Sequence, residues 1–265
     1  MATSKSGAAL NAFVLHSHDW SETSLIVELF TRERGRVVVA AKGAKRPTSN
    51  FRPVLLPFVP LHIQLGKTPA DEQAEVHNLR SAEWAGGQAL LPASALLGAY
   101  YLNELLLKLL ARQDAHAALF DAYANTLATL AQASSEAPGL RAFELALLRE
   151  LGLLPDLAVA TQTAQPLQAD GCYTLNAEAG VVSATQGIRG AQWVALQAAL
   201  SHGSMDALRQ ACTPVVAALR EPLRGVLHYH LGHIPLRTRQ VWHGVQALVT
   251  NGRMNARMNA STTAA

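Results

Sequence analysis

Residues 12–46 read AFVLHSHDWSETSLIVELFTRERGRVVVAAKGAKR. They contain three apolar runs rich in β-branched residues, AFVLHS, SLIVELF and RVVVAAK, separated by polar segments, which is typical of β-strands joined by tight turns. The tetrapeptide RERG at residues 32–35 predicts a hairpin turn in which Gly35 is free to take a positive φ. Two similar runs follow, VPLHIQL at residues 59–65 and EVHNLRSAEW at residues 75–84. This pattern predicts a small closed barrel, and an OB-fold fits it, with an SH3-like barrel fitting almost as well.

The middle of the chain predicts helices. Apolar residues recur at helical spacing from residue 96 onward, and residues 115–131 and 139–151 have the same character. Gly152 gives a stop signal for the last of these helices. Between residues 156 and 190 the helical period disappears and glycines accumulate, which indicates irregular hairpins. Helices then resume in GAQWVALQAAL and TPVVAALREPLRGVLHYHL.

These patterns predict an α+β protein in four segments. They are an N-terminal five-stranded OB-fold barrel at residues 1–83, a central helical domain at 84–155, a mixed C-terminal domain at 156–242 and a tail at 243–265. The C-terminal domain would begin with an irregular insert and continue into helices. The tail is small and polar, so we expect it to be disordered.

The basic residues are unevenly distributed. A net charge of +3 and a pI near 9.0 do not by themselves separate a nucleic-acid-binding protein from an enzyme. Between residues 32 and 52, however, seven Lys and Arg residues face one acid, Glu33. The loop at 42–53 is rich in Gly and Pro, so its cations are able to follow a phosphate backbone. The predicted DNA-binding residues are Arg34, Arg36, Lys42, Lys45, Arg46 and Arg52. The alternative is an ordinary solvated loop.

Two aromatic residues accompany the basic loop. Phe51 and Phe58 are candidates for stacking on bases, although in a small barrel such residues more often belong to the core. The trio His228, His230 and His233 does not predict a metal site, because on a helix His228 points away from the other two. No bound metal is therefore expected.

The sequence contains no recognisable catalytic signature. Phosphate-binding, dinucleotide-binding, nucleophile-elbow and paired-cysteine motifs are all missing, so we expect no enzyme activity and no cofactor. The first residues lack the apolar region of a signal peptide. The longest apolar stretch, 102–111, is interrupted by polar residues and is shorter than the ~20 residues that cross a bilayer. With only two cysteines, the expected location is the reducing cytoplasm.

The segment at 12–46 closely resembles the opening of RecO proteins, in which W-S-E-T-S leads into a hairpin and a G-R-V…A-K-G-A run. Further matching segments follow in the family's order, and the resemblance covers about residues 12–242. These segments are LLPFVPLHIQL, LRSAEW, YYLNELLLKLL, GLRAFELALLRELG and LHYHLGHIPLRTRQVW.

The resemblance implies a recombination mediator without bond-breaking activity. Such proteins bind single- and double-stranded DNA, anneal strands and engage the acidic C-terminal tail of single-stranded DNA-binding protein (SSB). With RecR they help to load RecA on SSB-coated DNA. The implied location is cytoplasmic, in association with the nucleoid. From the residues alone, an RNA-binding OB-fold protein, a metal-dependent nuclease and a scaffold with secondary DNA binding remain open.

Many RecO proteins carry a zinc-finger-like insert with two CxxC pairs. By resemblance, the matching positions here are Ala160, Thr163, Ser183 and Gln186, and none is a cysteine. Tetrahedral zinc needs four thiolate or imidazole ligands, which Cys172 alone does not supply. We therefore expect the insert to be held together by packing.

The resemblance also implies a site for the SSB tail in the helical domain. An acidic peptide with an apolar end requires an apolar groove rimmed by cations. Arg141 is the predicted contact, with Phe143 and Leu147 as an apolar wall. The alternative is that Arg141 faces solvent while Phe143 and Leu147 fill the bundle core.

Overall fold

The computed structural model describes residues 9–66, 75–87, 90–132, 135–232, 234–238, 240–242 and 244. His233 and the predicted tail, apart from Gly244, lie outside these residues.

The N-terminal strands close into a barrel. They are β1 (Leu10–Trp20), β2 (Ser24–Thr31), β3 (Gly35–Ala41), β4 (Leu61–Leu65) and β5 (Val76–Trp84). Their order is β1-β2-β3-β5-β4, with β4 pairing back onto β1 and with β3 and β5 parallel. This order confirms the five-stranded barrel and favours the OB-fold over the SH3-like alternative. Gly35 has a φ of +63°, as the hairpin turn requires.

A β-bulge in β1 decides which side chains face outward. The register between β1 and β2 shifts between Val14 and His16, so one extra residue, Leu15, enters β1 at that point. Before the bulge, Ala12 and Val14 point into the barrel core. Beyond it, His16 pairs with Glu28 and takes the outer face.

Three helices follow the barrel, and the first two pack against it. They are α1 (Leu96–Leu109), α2 (Ala117–Gln132) and α3 (Ala137–Glu150), and a 3₁₀ turn at Ala93–Ala95 precedes α1. The ring of Phe13 on β1 lies 5.3 Å from Phe120 and 5.1 Å from Tyr123, both on α2, measured between ring centroids. These contacts extend the helical core onto the outer face of the barrel.

The C-terminal part contains short strands and then three more helices. The strands are β6 (Val159–Ala160), β7 (Gln165–Pro166), β8 (Cys172–Asn176), β9 (Gly180–Ser183) and β10 (Ile188–Arg189). The helices are α4 (Gly190–His202), α5 (Met205–Cys212) and α6 (Val216–Leu231), with a 3₁₀ turn at Thr213–Val215. The predicted hairpins and resumed helices are confirmed.

Helix α5 is absent from the sequence prediction. Gly203 takes a left-handed φ of +78° and ends α4, while the Ser204 side chain accepts a hydrogen bond from the amide of Ala207 at 3.3 Å. A glycine followed by an N-cap serine was the signal available in the sequence. One buried apolar cluster runs from Phe13 to Leu231, so the domain limits at residues 83, 155 and 242 stay predictions.

Candidate functional site

The basic loop, residues 42–53, follows β3, and its first residues contact the β1–β2 hairpin. The Gly43 amide donates to the Ser24 hydroxyl at 3.3 Å, and the Lys45 amide donates to the Thr23 carbonyl at 2.9 Å. The Lys45 ammonium donates to the Ser21 carbonyl at 3.3 Å. It also lies 3.5 Å from the Asp19 carboxylate. Lys45 therefore fixes the loop to the hairpin.

Three other cations of the basic loop are solvent-exposed. Lys42, Arg46 and Arg52 form no ion pair with any other residue that the structure describes. An exposed cation without an ion-pair partner remains hydrated, so it is available to an anionic ligand at little desolvation cost. The loop thus brings together four of the six predicted DNA-binding residues.

Arg34 and Arg36 lie apart from the basic loop. Arg34 is exposed in the β2–β3 turn, at the opposite end of β3 from Lys42. Arg36 is half-buried, lies 3.6 Å from the Glu28 carboxylate and donates to the Leu107 carbonyl of α1. Burial lowers the pKa of Arg36 below its ordinary value. Arg36 therefore joins the barrel to the helices, and a role in DNA binding stays a prediction for both residues.

An exposed row of rings continues from the hairpin along β1. We call His16, His18 and Trp20 the β1 aromatic row, because alternate residues of a strand share a face. The centroids of the two imidazole rings are 4.4 Å apart, and Trp20 is 47% exposed. Burial, and then the neighbouring His18, lower the pKa of His16. Sequence reasoning missed this row, although the alternation in HSHDW was a signal for it.

The two phenylalanines considered for base stacking lie elsewhere. Phe58 is only 7% exposed and belongs to the core between the barrel and the helices. Phe51 is half-buried and packs against the barrel interior. Both rings pack in apolar clusters, so the core alternative describes them better.

Arg141 lies on α3 and is bound to a buried carboxylate. Its guanidinium is 2.8 Å from the Glu144 carboxylate, and the Tyr101 hydroxyl donates to the same carboxylate at 2.7 Å. The Arg141 side chain is 15% exposed, whereas Glu144 is fully buried. Burial raises the pKa of Glu144, and the charge of Arg141 opposes this shift.

Phe143 and Leu147 are completely buried in the helical core. In this conformation they fill the bundle beneath Arg141 and do not line an open groove. Their assignment to the apolar wall of a peptide site stays a prediction.

A polar bridge links the barrel to the helices. Buried Asn103 on α1 donates to the carbonyl of Leu15, the bulged residue of β1, at 3.0 Å. The Tyr123 hydroxyl donates to the Asn103 side chain at 2.5 Å. At the surface, Arg32 donates two hydrogen bonds of 2.9 Å to Asp121 on α2. The bridge holds the bulge, and with it the β1 aromatic row, in one register.

Glu104 on α1 holds the segment that follows α6. It accepts hydrogen bonds from the amides of Arg237 and Thr238 at 2.7 and 2.9 Å, and from the Thr238 hydroxyl at 2.6 Å. Lys108 also donates to it at 2.7 Å. Burial raises the pKa of Glu104, but these hydrogen bonds outweigh burial, so its pKa lies below the ordinary value.

Direct contacts hold the insert together. The Thr161 hydroxyl accepts from the Val181 amide at 2.8 Å, and the Thr161 amide donates to the Val181 carbonyl at 2.9 Å. A Cβ on Gly180 would lie 2.6 Å from that of Thr161, so the two segments touch closely. Ala160, Thr163, Ser183 and Gln186, the four positions compared with zinc ligands in the sequence analysis, flank these contacts. No group of three or more His, Cys, Asp or Glu residues suited to a metal occurs in the described part of the chain.

None of the described helices has the length and apolar character that crossing a membrane requires.

Together, the barrel and the packed helices define an OB-fold protein with a fused helical domain. The family model for the N-terminal part of recombination protein O matches residues 8–87, and the model for its C-terminal part matches residues 93–240. The chain therefore belongs to the RecO family of DNA repair proteins.

Two relatives are similar in sequence to this protein over almost the whole chain. DNA repair protein RecO of Verminephrobacter eiseniae (strain EF01-2) is 52% identical over 255 residues, which cover 94% of this chain and 100% of the relative. DNA repair protein RecO of Variovorax paradoxus (strain S110) is 51% identical over 251 residues, covering 89% of this chain and 96% of the relative.

Proposed function

We propose that this protein is a recombination mediator that binds single- and double-stranded DNA through the basic loop and anneals complementary strands. It acts by binding and positioning, without a catalytic step. The observation that carries the proposal is the set of three exposed cations, Lys42, Arg46 and Arg52, on one loop at the end of an OB-fold barrel. Phosphate contacts of this kind carry little base information, so we expect little sequence preference.

Salt dependence tests the electrostatic part of the proposal. If the four cations of the loop each neutralise one phosphate of a single strand, log K against log salt has a slope of about −2.8. A slope near zero would contradict a phosphate-binding loop.

The decisive experiment is a titration of labelled single-stranded DNA with the wild type and with Lys42→Glu/Arg46→Glu. The matched control is Arg220→Glu/Arg224→Glu, which reverses two exposed charges on α6. We expect the loop variant to lose affinity and the control to retain most of it. If both variants lost the same affinity for DNA, the loss would be explained by net charge alone, and the assignment of DNA binding to the loop would be wrong.

The same proposal includes a site for the acidic C-terminal tail of SSB at Arg141. A guanidinium has five donors, and the contact with Glu144 leaves others for a peptide carboxylate. Because Glu144 opposes a second negative charge, Glu144→Gln should tighten binding of an acidic tail peptide. Arg141→Ala should weaken it, and Arg220→Ala on α6 serves as the control. An unchanged affinity in both α3 variants would remove Arg141 from the site.

Cooperation with RecR in loading RecA, and a cytoplasmic, nucleoid-associated location, complete the proposal. They are supported by membership of the family rather than by a particular surface of this chain. Co-purification with RecR, measured for the wild type and for Lys42→Glu/Arg46→Glu, tests whether RecR binding is independent of the basic loop.

A further inference from the structure

We propose that the β1 aromatic row stacks against unpaired bases of single-stranded DNA while the basic loop holds the phosphates. This inference rests on the proposed DNA binding and adds a second contact, with the bases, that depends on the strand being unpaired. It assigns a role to His16, His18 and Trp20, which the phosphate contacts do not use.

The row owes its outward position to the bulge at Leu15. Paired residues of neighbouring strands share a face, and Val27, the partner of Ser17, points into the barrel core. His16, His18 and Trp20 alternate with Ser17, so all three point to the outer face. All three are exposed.

The rings of the row form two separate aromatic surfaces. The imidazoles of His16 and His18 are 4.4 Å apart and nearly perpendicular, so they form one edge-to-face pair, while Trp20 lies two residues further along the strand. Bases in a duplex are paired and stacked on one another, so this row selects unpaired bases.

Charge complementarity identifies the occupant as a nucleic acid. Trp20 stands at the end of β1, and its neighbours Asp19 and Ser21 are the residues that hold Lys45. The basic loop and the row therefore share one hairpin, so phosphates bound at Lys42 and Arg46 would continue into a strand running along β1. Single-stranded DNA is the occupant that matches both surfaces.

A second exposed tryptophan provides an internal control. Trp84 is 62% exposed at the end of β5, where it borders a shallow apolar groove with Phe58, Leu90 and Leu96. That groove lies outside the basic loop and the hairpin. Trp84 thus matches Trp20 in residue type and exposure, without the adjacent loop cations.

The test compares Trp20→Ala and Trp84→Ala on two ligands of equal charge, an oligothymidylate and an abasic oligonucleotide of the same length. Loss of one stacked base should weaken oligothymidylate binding by Trp20→Ala about 5- to 150-fold. Its affinity for the abasic strand should be unchanged, and Trp84→Ala should resemble the wild type on both ligands. Trp20→Phe, which retains a ring, should restore most of the lost affinity.

Fluorescence gives an independent readout. In a Trp84→Phe/Trp242→Phe background, the remaining tryptophans are Trp20 and the fully buried Trp193. Oligothymidylate should quench this emission and the abasic strand should not. Equal effects of Trp20→Ala and Trp84→Ala, equal losses on both ligands, or tighter binding to RNA of the same base sequence would each overturn the inference.

The two proposals fail in distinguishable ways. If Lys42→Glu/Arg46→Glu loses both ligands while Trp20→Ala loses neither, the phosphate-binding loop stands and the stacking row is wrong. If the wild type binds neither ligand, the proposed DNA binding fails and the stacking row fails with it.

Discussion

The basic loop and the surroundings of Arg141 are both cationic, but their charges are held in different ways. Lys42 and Arg46 extend from a surface loop into solvent, whereas Arg141 is largely enclosed and contacts the buried carboxylate of Glu144. A solvated charge contributes little to folding, so it is free to contribute to binding. A charge that neutralises a buried partner contributes to folding first. Removing a solvated cation therefore tests its role in binding directly, whereas removing a cation that pairs with a buried carboxylate also changes stability.

The largest effect is expected at Arg141. Arg141→Ala leaves the Glu144 carboxylate buried without its cation, which should lower the free energy of unfolding at neutral pH by about 3–5 kcal/mol. Chemical denaturation measures this change, with Arg220→Ala on α6 as an exposed control. If Arg141→Ala lost no more unfolding free energy than the control, Arg141 would not differ from an exposed cation in its contribution to folding.

The same variant should show a defined pH dependence. Because burial raises the pKa of Glu144, the folded state binds its proton more tightly than the unfolded state does. The cost of the unpaired carboxylate is thus absent below the unfolded pKa and grows as the pH rises toward the folded pKa. We expect the destabilisation by Arg141→Ala to shrink at acidic pH. A loss that grows on acidification would contradict this assignment.

The next effect is expected at the bridge between the barrel and the helices. The Asn103 side chain donates to the Leu15 carbonyl and accepts from the Tyr123 hydroxyl, and it is buried. Asn103→Ala removes both hydrogen bonds. Leaving such groups unsatisfied should cost about 2–4 kcal/mol of unfolding free energy. Asn125→Ala, an exposed position on α2, is the control. If the bridge holds the bulge, Asn103→Ala should also weaken oligothymidylate binding.

Variants of the basic loop should change DNA binding and leave stability unchanged. Lys42→Glu/Arg46→Glu should leave the unfolding transition unchanged, because neither residue is paired within the described chain. The slope of log K against log salt for single-stranded DNA should become shallower by about 1.4, the contribution of two phosphates. A fall in thermal stability with an unchanged slope would show that the loop is structural.

Among the variants expected to lose stability, the smallest effect is at Glu104. Glu104→Gln weakens the attachment of Arg237 and Thr238 to α1, with a cost of about 1 kcal/mol. Since the folded pKa of Glu104 is lowered, its contribution is present above the unfolded pKa and is lost as the pH falls through the folded pKa. Faster tryptic cleavage at Arg237 measures the release, and Glu221→Gln on α6 is the control.

Local patterns predicted most of the elements and part of the site. The exposure of the basic loop was predictable from its composition. Gly43, Pro47 and Pro53 keep residues 42–53 out of regular structure, so Lys and Arg side chains of this segment reach solvent. The surroundings of Arg36 were not predictable, for the opposite reason. It lies on a strand, and its partners are Glu28 and the carbonyl of Leu107, which is 71 positions away.

The sequence by itself predicted five strands in a small barrel and the order of strands and helices, because alternation, helical spacing and turn residues act over short distances. The family followed from the resemblance of its motifs to those of RecO proteins. Tertiary structure alone decided three features of the candidate sites. They are the outward direction of Trp20 after the bulge, the pairing of Arg141 with a buried carboxylate, and the contact of Thr161 with Val181 in the insert. Each depends on a register or a partner distant in sequence, and a one-residue shift would reverse which face a side chain occupies.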